Sequence, residues 1–305
     1  MDLKSVRCFV EVAENLHFGR AAERLRLAQS VVSRQIAGLE AELGVRLIER
    51  HKRAPIRLTP AGALFLDEAR AALAQFERAE LVVRQAERGE RGRLEIGYVA
   101  SATWSGLLPS AVFDFRRARP GVTVSLTEME SWRQLEALAE GRIDVGFLRP
   151  RPDYPASLAV LPQLREPVLV ALRADHPLAA LHGAIPAARL AGEAFAVPQA
   201  DERGGFVGHT LAIGKAGGFS PRIAHHVRDF ISVLNLVGVG LAVAAVPSSL
   251  QRLRLPDVVY RPLADCEVFA ELAAASRRSG NAAVVRSFVR VLKARGETVL
   301  PVSLD

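Results

Sequence analysis

Residues 18–53 read FGRAAERLRLAQSVVSRQIAGLEAELGVRLIERHKR, and no other stretch restricts the fold as narrowly. Phe18, Ala21, Ala22 and Leu25 fall at helical spacing, and after Arg26-Leu27-Ala28 a second periodic run opens at Gln29. This pattern predicts a helix, a three-residue turn and a helix. At about 100° per residue, Val32, Ile36, Leu39 and Leu43 form one apolar face, while Ser30, Arg34, Ala37 and Ala41 point the opposite way. A helix needing only solubility would carry Lys and Glu on its outer face. Hydroxyls, an amide, a guanidinium and small alanines suit a helix that presses into a groove, so the second helix is expected to read DNA.

The flanking residues extend this expectation. Gln29 and Ser30 stand where side-chain oxygens cap a helix, and Gly44 is the expected stop after Leu43. Two short runs, 46–48 and 56–58, bracket Arg50-His51-Lys52-Arg53-Ala54-Pro55 and predict a two-stranded wing with a basic tip. Residues 1–58 hold eleven Lys or Arg against seven Asp or Glu, so a good part of the chain's net charge of +7 sits in its first fifth. Cations beside a helix-turn-helix are the footprint of phosphate binding. A first helix over 3–14 supplies the third side of a small core, with Phe9 and Phe18 as aromatic fill and Cys8 as a packed thiol.

Thr59-Pro60 predicts a helix start. From there Ala61, Phe65, Ala69, Ala72, Phe76, Ala79, Val83 and Ala86 recur at spacings of four and three, giving a helix roughly 40 Å long at about 1.5 Å per residue. One apolar seam of that length suits pairing with a second copy; packing against the chain's own body is the alternative. Gly89 and Gly92, set among charged residues, are expected to form a hinge.

Beyond the hinge, short apolar runs alternate with helices. Strands are expected at 94–99, 123–127 and 144–148, with helices at 107–118 and 131–139 between them. After a proline-rich passage (Pro150, Pro152, Pro155, Pro162), strands follow at 168–173, 195–197, 223–227, 241–246, 258–262 and 268–275, with helices at 206–216, 229–237 and 282–294. Two α/β lobes joined by crossing strands would bind a ligand between them, outside the carboxyl ends of the strands.

Other classes are argued against. Asp2, Lys4, Arg7 and Glu11 interrupt what would be the apolar core of a signal peptide, and the run 234–246 is too short to span a bilayer, so a cytoplasmic protein is expected. Two distant cysteines imply no disulfide framework. G-x-S-x-G, P-loop and H-E-x-x-H motifs are absent, which weighs against an enzyme, and no cofactor or metal is implied. His225-His226 is read as structural, and His209 as a residue able to face a ligand.

Residues 1–62, including FVEVAENLHFGRAAERLRLAQSVVSRQIAGLEAELGVRLIER and then LTPAG, resemble the DNA-binding region of LysR-type transcriptional regulators. EALAEGRIDVGF (136–147) and LNLVGVGLAVAAVP (234–247) resemble that family's effector domain, so the likeness covers nearly the whole chain. Fewer residues, TEMESWRQLEALAEGRIDVGFLR, resemble the branch regulating aromatic-compound and muconate catabolism. The resemblance implies an α/β protein: a winged helix-turn-helix (1–58), a linker dimerisation helix (59–89), and a two-lobed periplasmic-binding-protein-like (type 2) effector domain (90–305). Lobe I would take 90–163 and 267–305, and lobe II 164–266, in a homodimer or homotetramer.

It also implies roles. Gln29, Ser30, Ser33 and Arg34 would lie at the DNA groove, and the wing cations Arg50, Lys52 and Arg53 at the backbone or minor groove. Ser30, Val31 and Val32 stand where relatives often have one or two prolines after the Gln, so base preference does not carry over. Ser101, Ala102 and Thr103 after the first strand, Ser131 where muconate responders commonly have Thr, Arg149 and Phe206 would line the effector cleft. Free N–H groups where 101–103 and Ser131 open helices would favour a carboxylate, although Ser at a helix start is equally often a plain cap. Trp104 and Trp132 are expected at the cleft rim. The partners expected are double-stranded DNA, a small carboxylate effector, a second copy and RNA polymerase, with no membrane. A two-lobed receptor without a DNA role, and a regulator needing no ligand, are the alternatives.

Overall fold

The computed structural model describes residues 1–49, 55–151, 153–181, 183–198 and 205–300. The chain divides into two compact units, Met1–Gln85 and Ala86–Asp305.

In the first unit, α1 (Leu3–Asn15), α2 (Phe18–Leu25) and α3 (Gln29–Leu43) surround a core of Val6, Phe9, Val12, Ala21, Val32, Ile36 and Leu39. Asp2 and Ser5 form a reciprocal cap on α1, and the His17 Nδ1 accepts the Gly19 N–H at the start of α2. The turn into α3 bends at Arg26, which takes a left-handed φ of 54°, and the Leu27 N–H bonds to the Ala22 carbonyl. Leu43 lies at the edge of the apolar face and is exposed, followed by Gly44 at φ 70°.

The wing strands β1 (Ile48–Glu49) and β2 (Arg57–Leu58) pair antiparallel, each shorter than the hydrophobic runs suggest. Glu40, on the inner side of α3, fixes the first of them by accepting the Leu47 and Ile48 N–H groups at 2.8 and 3.0 Å.

Thr59 caps α4 (Pro60–Glu87) by accepting the Gly62 N–H at 2.9 Å while its hydroxyl donates to the Arg46 carbonyl at 2.7 Å. Gly62 is required there: a β-carbon would collide with the Leu47 carbonyl. The long seam is not uniform. Its first turns belong to the head's own core, with Ala69 buried and Phe65 tilted against Phe9 at 5.1 Å, so Phe65 joins the half-buried Phe18 as aromatic fill around Phe9. From Ala72 onward Phe76, Ala79, Val83 and Ala86 are exposed on this chain.

The expected glycine hinge is tighter than its sequence suggests. β3 (Arg91–Tyr98) starts before Gly92, leaving a turn of about three residues after α4. Gly89 is buried in it at φ 68°, and a β-carbon would stand 2.7 Å from the Ala283 carbonyl oxygen.

The second unit holds α5 (Ser101–Trp104), α6 (Leu107–Ala118), β4 (Gly121–Glu128), α7 (Ser131–Ala139), β5 (Val145–Leu148) and β6 (Leu158–Arg173). Then come β7 (Ala194–Pro198), α8 (Gly205–Gly217), β8 (Arg222–Val227), α9 (Phe230–Gly238), β9 (Ala244–Pro247), β10 (Val258–Arg261), β11 (Phe269–Arg277), α10 (Ala283–Arg295) and β12 (Thr298–Val299). The main sheet runs β10-β6-β11-β5-β3-β4, with β3 parallel to both β4 and β5.

β6 and β11 are the crossing strands. The end of the proline-rich passage is already strand: β6 begins at Leu158, ten residues before the expected start at Val168, and pairs with β11 as far as Pro167. The register shifts where Leu272 faces Leu164 and Ala273 faces Pro162, so Gln163 is the extra residue of a bulge and the missing Pro162 N–H interrupts no regular rung.

Each lobe packs a core against these strands. Lobe I packs Leu94, Ile96, Phe115, Phe147 and Phe288 beneath α6 and α10; lobe II packs Leu169, Val170, Phe195, Ile213, Val233 and Val246 among β7, α8, α9 and β9. Among the described residues no helix is long and apolar enough to cross a membrane.

Candidate functional site

The first candidate surface is α3. Burying Val32, Ile36 and Leu39 turns Gln29, Ser30 and Arg34 outward, with Ser33 half-buried beside them. The cap position belongs to Ala28, which offers no side-chain hydrogen bond, so Gln29 and Ser30 do not cap the helix as the sequence suggests. Arg50, Lys52 and Arg53 fall outside the described residues.

The second is a cavity of about 390 Å³ between the lobes. Lobe I lines it at the carboxyl ends of its parallel strands, with Ser101 and Trp104 after β3, Glu128 to Arg133 between β4 and α7, and Arg149 after β5. Lobe II contributes Pro198, Gly205, Phe206, Arg228, Asp229 and Phe230 from the ends of β7 and β8 and the starts of α8 and α9.

Ser101, Ser131, Arg149 and Phe206 thus come together. Ser101 is only 4% and Ser131 8% exposed. Ala102 and Thr103 do not line the cavity: Ala102 packs into the lobe I core, and the Thr103 hydroxyl donates to the Ala100 carbonyl. Nor does α5 offer the free N–H groups expected of it. It is a single turn, and the Ala102 and Thr103 N–H groups bond to the Val99 and Ala100 carbonyls.

Arg149 is the electrostatic centre. Its backbone N–H donates to the Ser131 hydroxyl at 3.1 Å, its guanidinium donates to the Glu271 carbonyl at 3.2 Å, and the same group lies 4.9 Å from the centre of the Phe206 ring. Burial lowers its pKa to about 10, partly opposed by Glu166, so the group stays charged at neutral pH.

One wall of the cavity is aromatic. Phe206 meets Phe230 edge-on at 4.6 Å, and Phe230 meets Trp104 at 5.8 Å. Trp132, on the opposite wall, carries the Arg133 guanidinium 5.0 Å from its ring.

His209 lies behind Phe206, with rings 4.8 Å apart, and lines a smaller adjoining cavity with Arg149, Phe269 and Glu271 rather than the main one. Burial first, then the charge of Arg149, lowers its pKa to about 4. The ring is therefore neutral at pH 7, and its Nε2–H donates to the Phe269 carbonyl at 3.0 Å.

Sequence reasoning found much of the lobe I wall and only Phe206 of lobe II. Arg228, Asp229 and Phe230 sit at a strand-to-helix junction whose signal was present, since Asp229 caps α9 by accepting the Ser232 N–H at 2.8 Å.

The bacterial regulatory helix-turn-helix model of the lysR family matches residues 3–63, and the LysR substrate binding domain model matches residues 87–297. The chain is 34% identical over 298 residues to the HTH-type transcriptional regulator AlsR of Bacillus subtilis, covering 95% of each. It superposes on full-length CbnR complexed with its target DNA with a TM-score of 0.83 at 30% identity, covering 97% of this chain and 99% of that one. It also matches the effector binding domain of BenM, an Acinetobacter baylyi regulator, with its effector benzoate: TM-score 0.59, 29% identity, 66% of this chain and 90% of that one. A helix-turn-helix with an outward polar helix, followed by two lobes around a polar and aromatic cavity, thus has its counterpart in these regulators from end to end, and the chain belongs to the LysR family of transcriptional regulators.

Proposed function

We propose that this regulator is controlled by a small carboxylate bound between the lobes. The observation that carries the reading is Arg149: a charged guanidinium in a part-apolar cavity, stacked on Phe206 and set beside the buried hydroxyls of Ser101 and Ser131. A carboxylate there gains a charge-assisted hydrogen bond and the unpaired first-turn N–H groups of α7. The aromatic wall favours a ligand with a flat apolar body, the chemistry of the benzoate that BenM takes as its effector. Ser101, Ser131, Arg149 and Phe206 are the binding residues in this reading, with Ala102 and Thr103 supporting Ser101 from behind.

At the other end, Gln29, Ser30, Ser33 and Arg34 read base edges in the major groove, while Arg50, Lys52 and Arg53 neutralise phosphates. Two copies pair along the exposed seam of α4 from Ala72 to Ala86 and hold two heads on one operator, with a tetramer as the larger assembly. The protein works in the cytoplasm, where RNA polymerase is its further partner.

Trp104 and Trp132 both line the cavity and are the only tryptophans in the chain. Titration with benzoate, cis,cis-muconate and a panel of other carboxylates is expected to quench or shift their fluorescence. A panel that leaves the emission untouched would remove the effector reading.

A further inference from the structure

α5 follows β3 of lobe I, yet lobe II holds it twice. Trp104 packs against the lobe II core, edge-on to Phe230 at 5.8 Å and 78°. One residue beyond the helix, the Ser105 carbonyl accepts the Arg252 Nη1–H at 2.8 Å. Gly106, at φ 79°, lets the arginine approach, since a β-carbon there would stand 2.7 Å from that nitrogen.

Arg252 ends a 3₁₀ turn, Ser248–Arg252, that follows β9 in lobe II. The start of that turn is fixed to a crossing strand, because Glu166 of β6, fully buried, accepts the Ser249 N–H at 2.7 Å and the Ser248 hydroxyl at 3.3 Å. A continuous path therefore runs from Ser101 in the cavity through α5 and Arg252 to the strand that joins the lobes.

We propose that Arg252 is a positioning residue for effector capture: its bond to the Ser105 carbonyl, with the Trp104–Phe230 contact, clamps α5 to lobe II and so sets where Ser101 stands in the cavity. The inference rests on the cavity being the effector site. A group that meets the ligand binds tightly only when its own support is ordered beforehand. Without Arg252, α5 keeps its Trp104 contact with lobe II but loses the hydrogen bond that fixes its end, and the ligand must order the helix itself. Because the clamp joins the two lobes, it also gives an occupied cavity a direct hold on the crossing strands.

The test uses the full-length chain carrying Trp132→Phe, which leaves Trp104 as the sole reporter. In that background Arg252→Ala is expected to red-shift Trp104 emission and raise its quenching by acrylamide before any ligand is added, with far-UV circular dichroism unchanged. Affinity for benzoate or cis,cis-muconate should fall about tenfold, the size of one charge-assisted hydrogen bond, and Arg252→Lys, which keeps a cationic donor, should recover part of it. Parental emission and quenching in Arg252→Ala would overturn the clamp, as would parental affinity for a ligand that binds the background protein. If neither probe binds the parent protein with both tryptophans in place, the effector reading fails, and the ligand-free quenching still shows whether Arg252 holds α5.

Discussion

The head and the effector unit place their functional side chains in opposite settings. On α3 a buried apolar face of Val32, Ile36 and Leu39 turns Ser30 and Arg34 out into water. In the cavity Ser101, Ser131 and Arg149 are drawn inward, and Arg149 lies against an aromatic ring. An exposed charge interacts weakly and is screened by salt, whereas one in a drier cleft interacts strongly and is costly to leave without a partner. The head is therefore suited to many modest, salt-sensitive contacts, and the cleft to one decisive contact.

The largest expected effect tests the cleft. Arg149→Met keeps much of the side chain's length and removes the charge, and should cost about 2–5 kcal/mol in carboxylate binding, measured by fluorescence or calorimetric titration. DNA binding by the ligand-free protein should be preserved. Unchanged carboxylate affinity would move the anion site elsewhere and dissolve the contrast.

On the head, Arg34→Ala should cost about 1–3 kcal/mol in operator binding and relax selectivity at one base position. Equal weakening on every sequence, with a salt slope lower by about one, would instead make Arg34 a phosphate contact. Binding isotherms on an operator series at several salt concentrations separate the two.

The smallest effect concerns pH. The folded pKa of His209, about 4, lies below the ordinary value of 6.5, so the unfolded chain takes up the extra proton. Its contribution to stability is complete above pH 6.5 and falls away as the pH drops towards 4. Denaturant midpoints at pH 7.5 and 5 should differ less in His209→Asn than in the parent protein, and an identical pH dependence would show that the ring's burial carries no such linkage.

The parts legible in the sequence are those where one residue pattern maps onto one element. The periodicity of residues 107–118 and 131–139 gives α6 and α7 their observed bounds, and Gln29 to Leu43 gives α3. β6 was obscured because Pro162 ends a proline-rich passage, and only the register against β11 shows a bulge absorbing it. Gly92 read as part of a hinge because a strand beginning with Arg-Gly-Arg has no apolar alternation. In the site, serines at strand ends announce themselves. The hold of Arg252 on α5 does not, because its acceptor is a backbone carbonyl, which any residue type would supply.

Gly62 carries a consequence for the whole assembly. Because the α4 backbone rests directly on the Leu47 carbonyl, wing, recognition helix and the opening turns of α4 form one stiff piece with no joint between them. In the pair proposed along α4 the two helices would act as the legs of a caliper, and a few degrees of change in their crossing angle would shift the heads from matching successive turns of the duplex to missing them.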